Sequence, residues 1–176
     1  GWSLYKDGVA SSWPNTRYET SSSYPALKNS DGTPFDGTCM FIRWDGNNAY
    51  VYGYPVRLEA DTDYKFSMSA THWNNGTDAG ITASVNTVPT GRESSRLASQ
   101  LFGGGGLGKN GTNVTFVDGT LTFHTTEAGV YFITLESPTS NALYVIANLS
   151  LEKVYTDLTD GRYIDFTSLI TYADCT

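Results

Sequence analysis

The chain has 176 residues, the length of one domain that can bury a substantial core. Its 11 Lys and Arg against 18 Asp and Glu give a formal net charge of −7, so the basic surface that nucleic-acid binding requires is not expected. No apolar run approaches the length of a membrane span, and 12 Tyr and four Trp in a weakly charged chain suit a neutral polymer.

Short alternating segments separated by turn dipeptides predict an all-β fold. The turns are marked by seven Asp-Gly or Asn-Gly pairs, beginning at residues 31, 36, 45, 75, 110, 118 and 160. Strands at this spacing are typical of two antiparallel sheets packed as a β-sandwich.

In chain order, the alternation predicts strands at residues 1–8, 17–20, 38–44, 49–58, 63–73, 81–86, 113–117, 120–125, 129–136, 142–153 and 163–170. The rest of residues 9–38 is predicted as loop. A modest helical period through Leu97 and Leu101 predicts a short helix within residues 91–102, and the glycine-rich residues 103–108 after it are interpreted as a flexible loop.

The clearest alternation, in residues 63–86, predicts a pair of adjacent strands. Their apolar face is formed by Tyr64, Phe66, Met68, Ala70, Ile81, Ala83 and Val85. The other face carries short hydroxyls, with Asn86 at its end and Trp73 closing the first strand. A flat polar surface beside an indole suits a ligand that stacks through C–H groups and hydrogen-bonds through hydroxyls, as sugars do.

Two tryptophans stand where a predicted strand runs into an Asn-rich loop, in the sequences WDGNN and WNNG. An indole beside amide side chains offers both the stacking and the hydrogen bonding that a pyranose ring requires. The predicted ligand-binding residues are Trp73, Trp44, Asn74, Asn75, Asn86, Arg43 and Tyr52. For Trp44, which shares a face with Met40 and Ile42, packing in the core is the alternative.

No arrangement of residues predicts catalysis. The glutamates are not paired on a predicted cleft wall, the two histidines are isolated, and Gly-x-Ser-x-Gly is absent, so we expect neither an enzyme nor a required cofactor. A structural Ca²⁺ at Asp31 and Asp36 or at Asp61 and Asp63 is an alternative to the simpler interpretation that these are turn-forming residues.

Three segments resemble strands of the jelly-roll, galactose-binding-like carbohydrate-binding modules: LEADTDYKFS at residues 58–67, residues 119–135, and YVIANLSL at 144–151. The resemblance spans about residues 38–153. It implies a jelly-roll sandwich that binds a plant-type polysaccharide such as xylan or β-glucan, within a secreted or cell-surface multidomain bacterial protein. Ala147 and Asn148 stand where such modules usually have an acidic residue, which argues against an inherited calcium site.

The resemblance also bears on domain organisation. We expect residues 1–154 to form the carbohydrate-binding-like domain and residues 155–176 to form a linker and a last strand. Residues 165–175 resemble the opening strand of such modules, so the tail either returns to the sandwich or opens a next module. A Cys39–Cys175 disulfide would accompany the return, while two unpaired thiols are equally open. The alternative function is a structural or adhesive spacer without a glycan site.

Overall fold

The computed structural model describes residues 1–6, 9–11, 16–20, 27–44, 50–72, 80–89, 96–102, 114–136 and 142–154, with the backbone alone at residues 16–20, 43, 44, 50, 142 and 143. These ranges contain thirteen strands and no helix. The strands are β1 (Ser3–Lys6), β2 (Val9–Ser11), β3 (Thr16–Thr20), β4 (Leu27–Lys28), β5 (Thr38–Trp44), β6 (Tyr50–Leu58), β7 (Thr62–His72), β8 (Ile81–Asn86), β9 (Arg96–Phe102), β10 (Val114–Thr115), β11 (Val117–Thr125), β12 (Gly129–Glu136) and β13 (Ala142–Val154).

The strands form two antiparallel sheets and one short parallel pair. Sheet A has the order β2-β1-β6-β12-β8-β9, and sheet B has the order β11-β7-β13-β5-β3. The parallel pair consists of β4 and β10. The predicted all-β fold of two antiparallel sheets is confirmed. In the small pair, β10 lies within the strand predicted at residues 113–117, whereas β4 lies in residues predicted as loop.

The main core lies between the two sheets, because period-2 alternation directs every second side chain inward. Its members are buried apolar residues from both sheets, among them Tyr52, Tyr64, Phe66, Met68, Ile81, Val85, Ile133, Leu135, Tyr144 and Ile146. Each fully buried large side chain stabilises the fold by about 1.5–3 kcal/mol through the area it removes from water.

A second cluster covers part of the outer face of sheet B. Phe41, Val145 and Ala147 project from that face, and the segment containing β4 and β10 packs over them. The complete second cluster is Leu27, Phe35, Cys39, Phe41, Val114, Phe116, Val145 and Ala147. Both faces of β13 are therefore buried along its first half, which explains the unbroken apolar run from Tyr144 to Ala147.

The predicted pairing of residues 63–86 is wrong. Strand β7 belongs to sheet B, between β11 and β13, whereas β8 belongs to sheet A, between β12 and β9. The two apolar faces meet across the core, so the two polar faces lie on opposite outer surfaces of the sandwich. Alternation assigned the faces of each strand correctly, but it carries no information about which strand lies alongside.

The predicted helix within residues 91–102 is also wrong, because Arg96–Phe102 is β9, the edge strand of sheet A. It pairs with β8 in a register that sets Ser99 opposite Ser84. Leu97 and Leu101, which suggested the helical period, are exposed rather than aligned on a buried stripe.

A β-bulge reverses the facing of residues in the middle of β13. The register with β7 shifts between Ala147 and Ser150, and Asn148 adopts a φ of 53°, a left-handed conformation that Asn tolerates better than most residues. The predicted inward set included Val145, Leu149 and Leu151. Only Leu151 packs against the main core, whereas Val145 joins the second cluster and Leu149 is exposed.

Several predictions fall on residues outside the described ranges. They concern the glycine-rich loop at 103–108, the linker and strand within residues 155–176, and the state of Cys175. The division into a domain at 1–154 and a C-terminal segment therefore stays a prediction, as does the Cys39–Cys175 bond. Cys39 itself is buried in the second cluster.

Candidate functional site

The ends of β5 and β7 lie at the same end of sheet B. Strand β13 separates them, and its Tyr144 pairs with Ile42 of β5 on one side and with His72 of β7 on the other. Trp44 is the last residue of β5, and Trp73 directly follows the last residue of β7. Two strand spacings place these strand ends about 9.6 Å apart. We call the ends of β5 and β7, with the residues that follow them, the strand-end surface.

This surface rests on a rigid base. The rings of His72 and Tyr144 lie with centroids 5.2 Å apart, and both side chains are completely buried. Thr71 is buried as well. Close packing of these residues fixes where the backbone leaves β7 and enters β13. The sequence-predicted residues Trp73, Asn74 and Asn75 follow this point outside the described ranges, and only the backbone of Arg43 and Trp44 is described.

Two predicted ligand-binding residues are not open to a ligand in this structure. Tyr52 has 3% of its surface exposed and faces the main core from β6, paired with Leu4. Asn86 is completely buried on the outer side of sheet A, where its Nδ2 donates a hydrogen bond of 2.7 Å to Thr134 Oγ1. Both are therefore corrected from ligand contacts to structural positions. The reason is sheet assignment, since Tyr52 and Asn86 belong to sheet A and the strand-end surface to sheet B.

The outer side of sheet A carries a polar feature that the sequence did not reveal as a unit. Register brings Ser84 and Asn86 of β8 beside Thr134 and Phe132 of β12, respectively. Within the described ranges, Ser84 Oγ and Asn86 Oδ1 have no hydrogen-bond partner although both atoms are buried. We call Thr82, Ser84, Asn86, Thr134, Glu136 and Arg96 the polar strip. The alternation in β8 revealed three of its members, but only sheet pairing adds the other three.

An ion pair spans the polar strip, because Arg96 lies beside Asn86 at one end and Glu136 lies beside Thr82 at the other, and an aromatic pair flanks the strip. Arg96 Nη2 contacts Glu136 Oε1, with 21% and 18% of the two side chains exposed. Phe132 packs edge-on against Tyr5 with ring centroids 6.0 Å apart. Burial raises the pKa of the Glu136 carboxyl, and the Arg96 guanidinium opposes part of that rise.

The raised pKa gives a pH dependence that Glu136→Gln removes. The folded chain holds the Glu136 proton more tightly than the unfolded chain does, because its Glu136 pKa is higher. The part of the free energy of unfolding that depends on this proton is therefore complete below the pKa of the unfolded chain, about 4.3 for glutamate, and is lost as the pH rises through the higher pKa of the folded chain. We expect the free energy of unfolding of the native chain, minus that of Glu136→Gln, to fall as the pH rises from about 4 to 7. Urea denaturation across this range measures the difference.

Glu127→Gln is the matched control for this comparison, because Glu127 is an exposed glutamate outside the polar strip. It corrects for the general effect of removing one negative charge. A difference that rises with pH for Glu136→Gln, after this correction, would contradict the assignment of burial as the larger influence.

The aspartates proposed for calcium contact other side chains, Asp31 within its own turn and Asp61 and Asp63 across to His124 of β11. Asp31 Oδ1 accepts hydrogen bonds from the Thr33 backbone N at 2.9 Å and from Thr33 Oγ1 at 2.6 Å, and these bonds lower the Asp31 pKa. His124 Nδ1 lies 2.9 Å from Asp63 Oδ1, and its Nε2 lies 3.4 Å from Asp61 Oδ1. Asp31 thus acts as a turn-forming residue.

Over the part of the chain that the structure describes, no three or more His, Cys, Asp and Glu side chains are grouped to hold a metal ion. Structural calcium stays a prediction. The same ranges contain no helix of the length and apolarity needed to cross a membrane.

The fold is the jelly-roll β-sandwich of carbohydrate-binding modules. It is similar to a CBM4 structure with a TM-score of 0.52 and 12% identity, covering 87% of this chain and 86% of that one. It is also similar to the CBM22-1 xylan-binding domain of Paenibacillus barcinonensis Xyn10C (TM-score 0.54, 7% identity, covering 89% and 88%). A third similar structure is TmCBM61 in complex with β-1,4-galactotriose (TM-score 0.50, 13% identity, covering 87% and 88%).

No known family model matches the sequence, and no curated protein sequence matches it. At these identities the structural likeness confirms the predicted fold, while function has to be argued from the site.

Proposed function

We propose that this chain binds a neutral polysaccharide or oligosaccharide without catalysis, through the strand-end surface of sheet B. The observation that carries the proposal is the register Ile42–Tyr144–His72, which sets the strand end at Trp44 and the strand end before Trp73 at the same end of one sheet. The sequence supplied an indole and an Asn-rich continuation at each of these two positions. The ends of β5 and β7, one strand apart in sheet B, support a shared surface.

The chemistry of these residues suits a glycan. Indole faces of Trp44 and Trp73 would stack on the C–H surfaces of sugar rings, while Arg43, Asn74 and Asn75 would hydrogen-bond the hydroxyls. A separation of about 9.6 Å between the strand ends favours a ligand of more than one ring over a single monosaccharide. A neutral polymer also avoids repulsion by a chain of net charge −7.

Structural neighbours support the ligand class. One is described as xylan-binding, and another is a complex with β-1,4-galactotriose. We therefore propose plant-type polysaccharides, with xylan and β-glucan first and β-1,4-galactan next. We also propose a role as an extracellular or cell-surface module, residues 1–154, tethered to further domains of the same protein.

Calorimetric titration against xylan, β-glucan and β-1,4-galactan oligosaccharides tests this proposal. We expect saturable binding by the native chain and a loss of about 30-fold in affinity for Trp73→Ala and for Trp44→Ala, equivalent to about 2 kcal/mol for a binding hot spot. Trp2→Phe is the control, because Trp2 directly precedes β1 and packs against the main core, away from the strand-end surface.

The outcomes separate the candidate functions. Equal binding by the native chain and both alanine variants would move the site away from the strand-end surface. Absence of binding to every glycan by a folded chain would favour the structural or adhesive spacer instead.

A further inference from the structure

Strand β9 presents an apolar edge of sheet A to solvent. It is the last strand of that sheet, and no other described strand pairs with it on the side away from β8. Ser99 pairs with Ser84 and Leu101 pairs with Thr82, so both face the side of the polar strip, and backbone alternation sets Leu97 on the same side. Leu97 has 42% and Leu101 has 49% of its surface exposed. The two leucines that suggested a helix therefore form a row along an open sheet edge.

The other three edges of the two described sheets carry features that keep a strand from pairing with another molecule. Strand β2, at the opposite edge of sheet A, has only three residues. In sheet B, β3 contains Arg17 and Glu19, and β11 contains Asp118 and His124. Short length and charge are the usual means by which an edge strand avoids association. Residues 97–101 have neither, because they belong to a strand of seven residues and their sequence LASQL holds no charge.

The sequence of this edge is complementary to itself. When two copies of β9 pair antiparallel about a two-fold axis at Ser99, Leu97 of each copy lies opposite Leu101 of the other. The same register sets Ala98 opposite Gln100. A charged residue at the axis would face its own copy, so a symmetric contact between two chains of net charge −7 requires an uncharged centre. The run LASQL provides that centre.

We propose that β9 is the contact surface for a second copy of this chain, through an antiparallel β9–β9 pairing centred on Ser99 that joins two six-stranded A sheets edge to edge. Main-chain hydrogen bonds supply the pairing, and the two contacts between Leu97 and Leu101 remove apolar surface from water. The same surface is used on both copies, so the assembly closes at a dimer. The proposal goes beyond glycan binding and is independent of it, because the strand-end surface belongs to sheet B.

Sedimentation equilibrium on the full chain tests the proposal, with Ser99→Lys as the disrupting variant. We expect the native chain to show a monomer–dimer equilibrium between about 10 µM and about 1 mM, as suits a small interface. Ser99→Lys sets two ammonium groups opposite each other at the axis, so it should raise the Kd of the dimer at least about tenfold. Ser3→Lys is the matched control and should leave the Kd unchanged, because Ser3 is also an exposed serine of sheet A but lies on β1.

Cross-linking at the same position is a second measurement, and it detects the dimer without weakening it. Residues directly opposite in an antiparallel pair have Cα atoms about 4.5–5.5 Å apart, a separation that a disulfide can span. Ser99→Cys should therefore form a covalent dimer under mild oxidation. The native chain, with its own two cysteines, gives the background, and Ser3→Cys should not exceed that background.

A native chain that stays monomeric up to about 1 mM would overturn the proposal. A dimer that Ser99→Lys leaves unchanged would overturn it as well, because the two copies would then meet through another surface. Equal weakening by Ser99→Lys and Ser3→Lys would show an effect of added charge rather than of position, and would also contradict the β9 contact. Circular dichroism checks the fold of each variant. If Ser99→Lys does not fold, the yield of covalent dimer from Ser99→Cys against that from Ser3→Cys decides, and equal yields would overturn the proposal.

Discussion

Replacing Phe116 with alanine is expected to lower the free energy of unfolding by about 3–5 kcal/mol, the usual cost of removing a buried phenylalanine. Phe116 has 1% of its surface exposed and belongs to the second cluster. Its ring packs against Phe35 with centroids 5.0 Å apart. The cavity left by alanine would separate the segment of β4 and β10 from the outer face of sheet B.

Urea denaturation measures this change, and Val117→Ala is the matched control. Val117 is the next residue in the chain but is 42% exposed, so its truncation is expected to cost less than about 1 kcal/mol. The backbone hydrogen bond from Phe116 N to Lys28 O, 2.8 Å long, is available to either variant. Equal effects of the two substitutions would show that the second cluster does not act as a packed core.

A methyl group added at Gly119 is expected to destabilise the chain by about 1–3 kcal/mol through overpacking. An ideal Cβ on Gly119 would lie 2.5 Å from Phe102 Cε1, closer than real Cβ contacts allow. Phe102 is buried between the sheets and cannot move aside into solvent without losing its packing against Phe66. For a chain of this length, Gly119→Ala should lower Tm by about 2–4 °C for each kcal/mol.

A double-mutant cycle identifies the clash as the cause. Phe102→Leu removes the ring atoms that the new methyl group would meet, so the cost of Gly119→Ala should be smaller in that background than in the native chain. Gly129→Ala is the control, because nothing lies within 4 Å of an ideal Cβ there. Additive effects of Gly119→Ala and Phe102→Leu in thermal denaturation would contradict the assigned contact.

Sequence alone identified the two tryptophans of the candidate site, but it could not show which other residues share their surface. Trp44 and Trp73 were identified from local features, a strand followed by an Asn-rich loop. That the ends of their strands lie together is a consequence of β13 lying between β5 and β7 in sheet B. Tyr52 and Asn86 were assigned to the same surface from alternation alone, and sheet assignment placed both elsewhere.

The sequence by itself determined most of the strands and most of the inward-facing residues. The side chains that face the main core as alternation predicts are Tyr64, Phe66, Met68 and Ala70 in β7, and Ile81, Ala83 and Val85 in β8. This succeeds because the period of a strand is a local property, set by backbone geometry and by which side chains water excludes.

Tertiary structure decided which strands lie side by side, and this pairing decided every feature that involves two separate segments of the chain. It set β7 and β8 in opposite sheets, made Arg96–Phe102 a strand by pairing it with β8, and buried Val145 in the second cluster. It also placed a β-bulge at Asn148 in β13. One extra residue there exchanges the inward and outward sides for all the residues of β13 that follow. Strand pairing joins residues far apart in the chain, so its energy is absent from any local pattern.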